Sequence, residues 1–129
     1  MTRDARQPEA LARPGPPYSP VVVTGDLAYT AGQVALDAEG SIVPGGIEEQ
    51  AEQVLDNVER CLAAAGCSMD DVVKVTVFLS DLDDFEGFNR AYARRFERPY
   101  PARSTVGVRL APGLLVEIEA VARIPGAAG

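Results

Sequence analysis

The chain has no histidine and no tryptophan, a single lysine and only two cysteines in 129 residues. Each shortage removes a class of chemistry. Without histidine there is no Ser-His-Asp or Cys-His nucleophile scheme and no imidazole general base. Cys61 and Cys67 have no histidine to join them, so they do not compose a zinc site, and they read as packing residues. Schiff-base chemistry would rest on one side chain, Lys74, inside a β-branched run. No GxGxxG or Walker sequence supports a nucleotide cofactor. No apolar run is long enough to span a bilayer, and the amino terminus lacks the apolar core of a signal peptide, so a cytoplasmic address is expected. Whatever chemistry remains must run on carboxylates, arginines, hydroxyls and backbone.

What is present describes an ordinary globular domain. Apolar residues make up 47% and charged ones 24%, close to average usage, and the length suits one hydrophobic core. Residues 1–13 are expected to form a flexible tail and residues 14–129 a single domain. The net charge of −7 argues against nucleic acid and anionic membranes as partners, and the cluster Arg90, Arg94, Arg95 and Arg98 reads as solvated helix surface.

Apolar and β-branched runs about Gly25-Asp26 predict a hairpin, and residues 32–36 a third short strand in which Gly32 marks a bulge or a close backbone approach. Ile47, Ala51, Val54, Leu55, Val58 and Leu62 fall at helical spacing, with Gly66 as the terminator. The run Val72-Val73-Lys74-Val75-Thr76-Val77-Phe78-Leu79 predicts a central strand. Asp83 and Glu86 form a capping-box pattern that opens a second helix over 84–98.

Pro99-Tyr100-Pro101-Ala102-Arg103 sets a cation behind two prolines at the start of a strand. Proline removes backbone freedom there, so the Arg103 guanidinium is pinned, and its planar fork suits a small carboxylate. Alternation over 103–110 puts Arg103, Thr105, Gly107 and Arg109 on one face, which the final strand joins with Glu117 and Glu119; Val106 and Val108 fall on the core side with Val116 and Ile118. If these two strands form a hairpin with Arg109 opposite Leu115, Glu117 faces Gly107 and stands roughly 13 Å from Arg103. One chain would then not grip a small substrate with both, and a neighbouring chain would have to complete the site.

Gly15-Pro16-Pro17-Tyr18-Ser19-Pro20, Ala31-Gly32-Gln33-Val34, Asn57, Phe88-Asn89-Arg90-Ala91-Tyr92, Pro101-Ala102-Arg103-Ser104 and Val116-Glu117-Ile118-Glu119-Ala120 occur in order at suitable separations. Together they resemble the RidA/YjgF family of enamine and imine deaminases over nearly all of 14–124. The resemblance implies a chorismate-mutase-like α+β fold, a mixed sheet with two helices packed on one face, assembled as a homotrimer with sites between subunits. It implies hydrolysis of reactive 2-imino acids or their enamines, such as 2-iminopropanoate and 2-iminobutanoate, to 2-oxo acids and ammonia, without metal or organic cofactor. By family role Arg103 holds the carboxylate and Glu117 orients water, while Tyr18, Gly32 and Asn89 line the pocket. Thr105 stands beside it where the best-known members carry cysteine, Ala31 where serine is frequent, and Ala111 interrupts a common Leu-Pro pair. The competing reading is a non-catalytic paralogue that binds small carboxylates or another protein. A ribonuclease is opposed by the acidic balance and the missing histidine.

Overall fold

The computed structural model describes residues 2–126; Met1 and residues 127–129, which the expected tail and domain include, lie outside the described residues. Six strands, β1 (Asp4–Arg6), β2 (Val21–Thr24), β3 (Leu27–Thr30), β4 (Val72–Leu79), β5 (Ala102–Gly107) and β6 (Val116–Arg123), form one mixed sheet in the order β1-β2-β3-β6-β4-β5. Two helices, α1 (Ile47–Ala64) and α2 (Phe85–Ala93), cover one face. This is the α+β architecture expected.

α1 forms where it is expected. Its apolar positions Val54, Leu55, Val58, Cys61 and Leu62 are fully buried against the sheet. Burial of each large aliphatic side chain contributes roughly 1.5–3 kcal/mol. Gly66, at φ +79°, terminates the helix in the left-handed conformation that glycine adopts without steric cost. Both cysteines are buried, and burial pushes the Cys61 thiol up to about 12, which keeps it a packing group.

Five expectations are corrected. Within the expected tail, Asp4–Arg6 forms an edge strand paired with Val21–Val23. Residues 32–36 are not a strand: they contribute only isolated bridges, Gln33 to Ile118 and Leu36 to Ile42. The buried Asn57 side chain donates to the carbonyls of Val34 and Leu36 at 3.1 and 2.9 Å, supplying from α1 the partners that a strand would have supplied. The second helix ends at Ala93 rather than 98, and its entry is a 3-10 turn over Leu82–Asp84 capped by the Asp81 carboxylate. Its arginines are not merely solvated. Arg90 and Arg94 pair with Glu48, and Arg95 reaches Glu52, Asp56 and Glu59, so these arginines of α2 and the turn after it are ion-paired to the acidic face of α1.

The fifth correction concerns the last two strands. They are not a hairpin. β4 lies between them, running parallel to β5 and antiparallel to β6. The physical reason is the β4–α2–β5 connection: a helix between two strands returns the chain parallel to its predecessor, and alternation within a strand does not say which strand it will pair with. The stretch leading from β5 to β6 is instead anchored to α1 by the buried Gln50, whose amide donates to the Gly113 carbonyl and accepts from the Leu115 amide at 2.8 and 2.9 Å.

Candidate functional site

The register turns the face assignment of β5 over. Arg103 and Thr105 are the partners of Val75 and Val77, whose side chains are buried under the helices, so both point to the helix-covered side. Val106, expected in the core, is 42% exposed on the other side. β6 keeps its expected assignment, with Val116, Ile118, Ala120 and Ala122 buried; Glu117, the partner of Phe78, and Glu119, the partner of Thr76, lie on the bare face. Arg103 and Glu117 therefore stand on opposite faces of one sheet. Glu117 is level with Val106 across Phe78, three residues along and two strands over from Arg103, which separates the Cα atoms by roughly 14 Å. The expected separation within a chain survives, for a different reason.

Each half has its own construction. β5 is an edge strand, and α2 lays three rings over it: the Arg103 guanidinium carbon is 4.7 Å from the ring centre of Tyr92, 5.4 Å from Phe88 and 5.7 Å from Phe85. Such stacking holds a cation by its flat faces and leaves its edge free for hydrogen bonds. One N–H donates to Asn89 Oδ1 at 2.7 Å. Burial pulls the Arg103 pKa down, and among the described residues the nearby Tyr92 phenol alone counteracts it, with no carboxylate doing so. Asn89, Tyr92, Ala93, Tyr100, Pro101 and Arg103 line a concavity of about 280 Å³.

On the bare face the second half is made by a bulge. From Tyr29 to Gln33 the chain advances four residues, while its partner strand goes from Val121 to Ile118, three residues. The extra residue bends the chain, and Thr30 Oγ1 accepts the Ala120 N–H at 3.0 Å within the interruption. The bend brings the Gly32 backbone against Glu117: a β-carbon at position 32 would collide with the carboxylate and stand 2.8 Å from its Cδ. Only glycine permits that approach. Burial first, and the like charge of Glu119 second, push the Glu117 pKa up. Gly32 also joins Tyr18, Gln33 and Asn57 around a smaller hollow of about 60 Å³.

Of the candidate residues, the chain thus brings Arg103 to Asn89 and Gly32 to Glu117 and Tyr18, and does not bring the two groups together. Thr105 lies beside Arg103 on the helix-covered side of β5. Lys74, the single lysine, donates to Ser104 Oγ at 2.8 Å. Sequence reasoning missed Phe85, Phe88 and Tyr92 as neighbours of the cation; their helical spacing suits any core stripe, and the signal available was that this stripe precedes a strand whose second residue is arginine.

The profile of the endoribonuclease L-PSP family matches residues 8–124. The chain belongs to this family. A RutC family protein of Pyrococcus horikoshii is 45% identical over 88% of this chain and 92% of its own length. A goat protein named 2-iminobutanoate/2-iminopropanoate deaminase is 42% identical, over 92% of this chain and 85% of its own length. Among solved structures, RidA from an Antarctic Psychrobacter superposes with a TM-score of 0.88 at 37% identity, covering 95% of this chain and all of that one. E. coli TdcF with bound serine superposes with a TM-score of 0.85 at 35% identity, covering 92% and 97% of the two chains. The L-PSP family is thus shown by both sequence and fold.

Proposed function

We propose that the protein hydrolyses reactive 2-imino acids, or their enamine tautomers, to 2-oxo acids and ammonia in clefts between the subunits of a cytoplasmic homotrimer. The observation that carries this reading is Arg103, a half-buried cation held by three rings and one amide oxygen with no carboxylate of its own among the described residues. A desolvated, pre-oriented guanidinium without a counterion is a receptor for a small carboxylate. The deaminase name of the goat relative and the serine bound to TdcF agree with that chemistry.

The reaction asks little of the protein. The imine carbon is already electrophilic, so water needs positioning, a nearby carboxylate and a proton route to nitrogen. Arg103 holds the substrate carboxylate by two parallel N–H contacts, and Asn89 steadies the guanidinium. Glu117, its basicity raised by burial, orients the water and takes a proton as oxygen attacks carbon. Return of that proton to nitrogen gives the carbinolamine, and transfer of its hydroxyl proton to nitrogen by the same carboxylate as the C=O bond forms breaks the C–N bond, releasing ammonia and leaving the 2-oxo acid. No redox step, metal or organic cofactor enters this balance. Because the two groups lie on opposite faces of one chain's sheet, a neighbouring subunit supplies the second. The bare face suits such contact, with Tyr29, Phe78, Val106 and Val121 presenting apolar surface around the two glutamates.

The alternative, a binding-only paralogue, draws on the fact that the Arg103 half is built without Glu117. The test is a coupled assay in which an amino-acid oxidase generates imines from several amino acids and semicarbazide traps what remains. Faster imine loss with protein than without it is expected; equal loss for every amino acid would leave only the binding role.

A further inference from the structure

Among the described residues one buried side-chain oxygen has no hydrogen-bond partner, the hydroxyl of Tyr92. It belongs to a stripe of three rings one helical turn apart, with Phe88 and Phe96 at centre distances of 5.6 and 4.6 Å on either side. Phenylalanine serves at both neighbouring positions, so the stack itself asks for no hydroxyl. A buried hydroxyl without a partner is unfavourable relative to the phenylalanine that would fill the same space. The oxygen is therefore explained by something other than packing.

Its surroundings say what. The Tyr92 ring lies under the Arg103 guanidinium at 4.7 Å and lines the same concavity as Asn89, Tyr100 and Arg103. Arg103 spends one N–H on Asn89 Oδ1, and the remaining edge of its fork has no acceptor among the described residues. A cation with spare donors and a phenol with a spare donor thus share one wall, and both need an acceptor. Burial pushes the phenol up to about 12, so Tyr92 keeps its proton at neutral pH and acts as a donor. Two donors on residues of one concavity, one charged and one neutral, suit an anion with more than one oxygen.

We propose that Tyr92 is a further binding residue of the carboxylate site, its hydroxyl donating to the same small 2-oxo or 2-imino acid that Arg103 holds. This rests on the reading of Arg103 as the carboxylate receptor. The hydroxyl is unpaired in the protein alone and paired when the acid is bound, so Tyr92 contributes to affinity at the expense of stability.

That trade gives a signature which a packing role would not produce. The full-length protein, Tyr92→Phe and Arg103→Ala are compared for melting temperature without ligand, for binding of 2-oxobutanoate by titration calorimetry, and for KM and kcat in the imine assay. Tyr92→Phe keeps the ring stack. It is expected to melt at the same temperature as the wild type or a few degrees higher, to bind 2-oxobutanoate about tenfold more weakly, and to raise KM by the same factor with kcat little changed. If Arg103→Ala loses binding while Tyr92→Phe binds as the wild type does, the role of Tyr92 is overturned and the carboxylate reading stands. If wild type and Arg103→Ala bind 2-oxobutanoate equally, or neither binds it, the carboxylate reading itself fails and the role of Tyr92 goes with it.

Discussion

The two halves of the candidate site hold opposite charges by opposite means. Arg103 is held by side chains: three rings of α2 take its flat faces and Asn89 takes one N–H. Glu117 lies against backbone: a bulge brings Gly32 up to its carboxylate, and among the described residues nothing of opposite charge approaches. Burial works against ionisation in both places, lowering one pKa and raising the other. A fold that desolvates a cation and an anion on opposite faces of one sheet, without pairing either among the described residues, leaves two complementary halves, which in the proposed assembly a second chain joins.

The largest expected effect comes from breaking the half that side chains build. Arg103→Ala should lower deamination at least 100-fold, about 3 kcal/mol in transition-state terms, with an unchanged circular dichroism spectrum, because the guanidinium lines a surface concavity rather than the core. Arg103→Lys should fail nearly as badly, since an ammonium lacks the planar fork. Lysine turnover near wild type would show that charge alone suffices.

The backbone-built half is broken by a single methyl. Gly32→Ala places a β-carbon where the Glu117 carboxylate lies, and a flexible side chain can swing away at little cost. A tenfold or greater fall in kcat is expected, with a melting temperature within a few degrees of wild type. A large loss of stability would instead mean that the carboxylate is locked in place.

A titration sharpens the comparison. If the halves meet across a subunit interface, the cation of one chain favours ionisation of the other's Glu117 and offsets the upward push of burial. Arg103→Ala should then raise the Glu117 midpoint, followed by carbon NMR, whereas an unchanged midpoint would mean that the two never approach. Because removing the cation leaves only influences that raise this pKa, more of the folding stability is lost as pH rises through the midpoint in the variant than in the wild type.

The smallest effect lies away from both halves. Arg95, with its side chain 17% exposed, binds the Glu52 carbonyl and the carboxylates of Glu52 and Asp56. Arg95→Ala should cost about 1 kcal/mol of stability in denaturant melts, less at high salt, and leave KM unchanged.

How much of this was legible before the fold was known follows from which forces act locally. The stripe of α1, the hairpin at Gly25 and the apolar run of β4 are local patterns, and each forms where its spacing says. The close approach at Gly32 was also legible, since a glycine between predicted strands marks a bulge or a contact. The partner of β5 was not. Alternation in residues 103–110 places Arg103 and Val106 on opposite faces but does not say which face α2 will cover, so by itself it assigns the cation to the bare side and Val106 to the core. Pairing to β4 is decided by the crossover helix. The rings around Arg103 were hidden for the same reason: Phe85, Phe88 and Tyr92 carry the periodicity of any amphipathic helix, and only the parallel register of Val75 with Arg103 shows what lies beneath them.

The central claim is that neither half works without a second chain, and subunit mixing tests it most directly. Arg103→Ala and Glu117→Ala proteins, each inactive, are unfolded together in equal amounts and refolded, with native mass spectrometry to identify mixed assemblies. If each site takes Arg103 from one subunit and Glu117 from its neighbour in a cyclic trimer, every mixed trimer holds one intact site, and the mixture should recover roughly a quarter of wild-type activity. Mixed trimers as inactive as their parents would show that both residues serve the same chain's site.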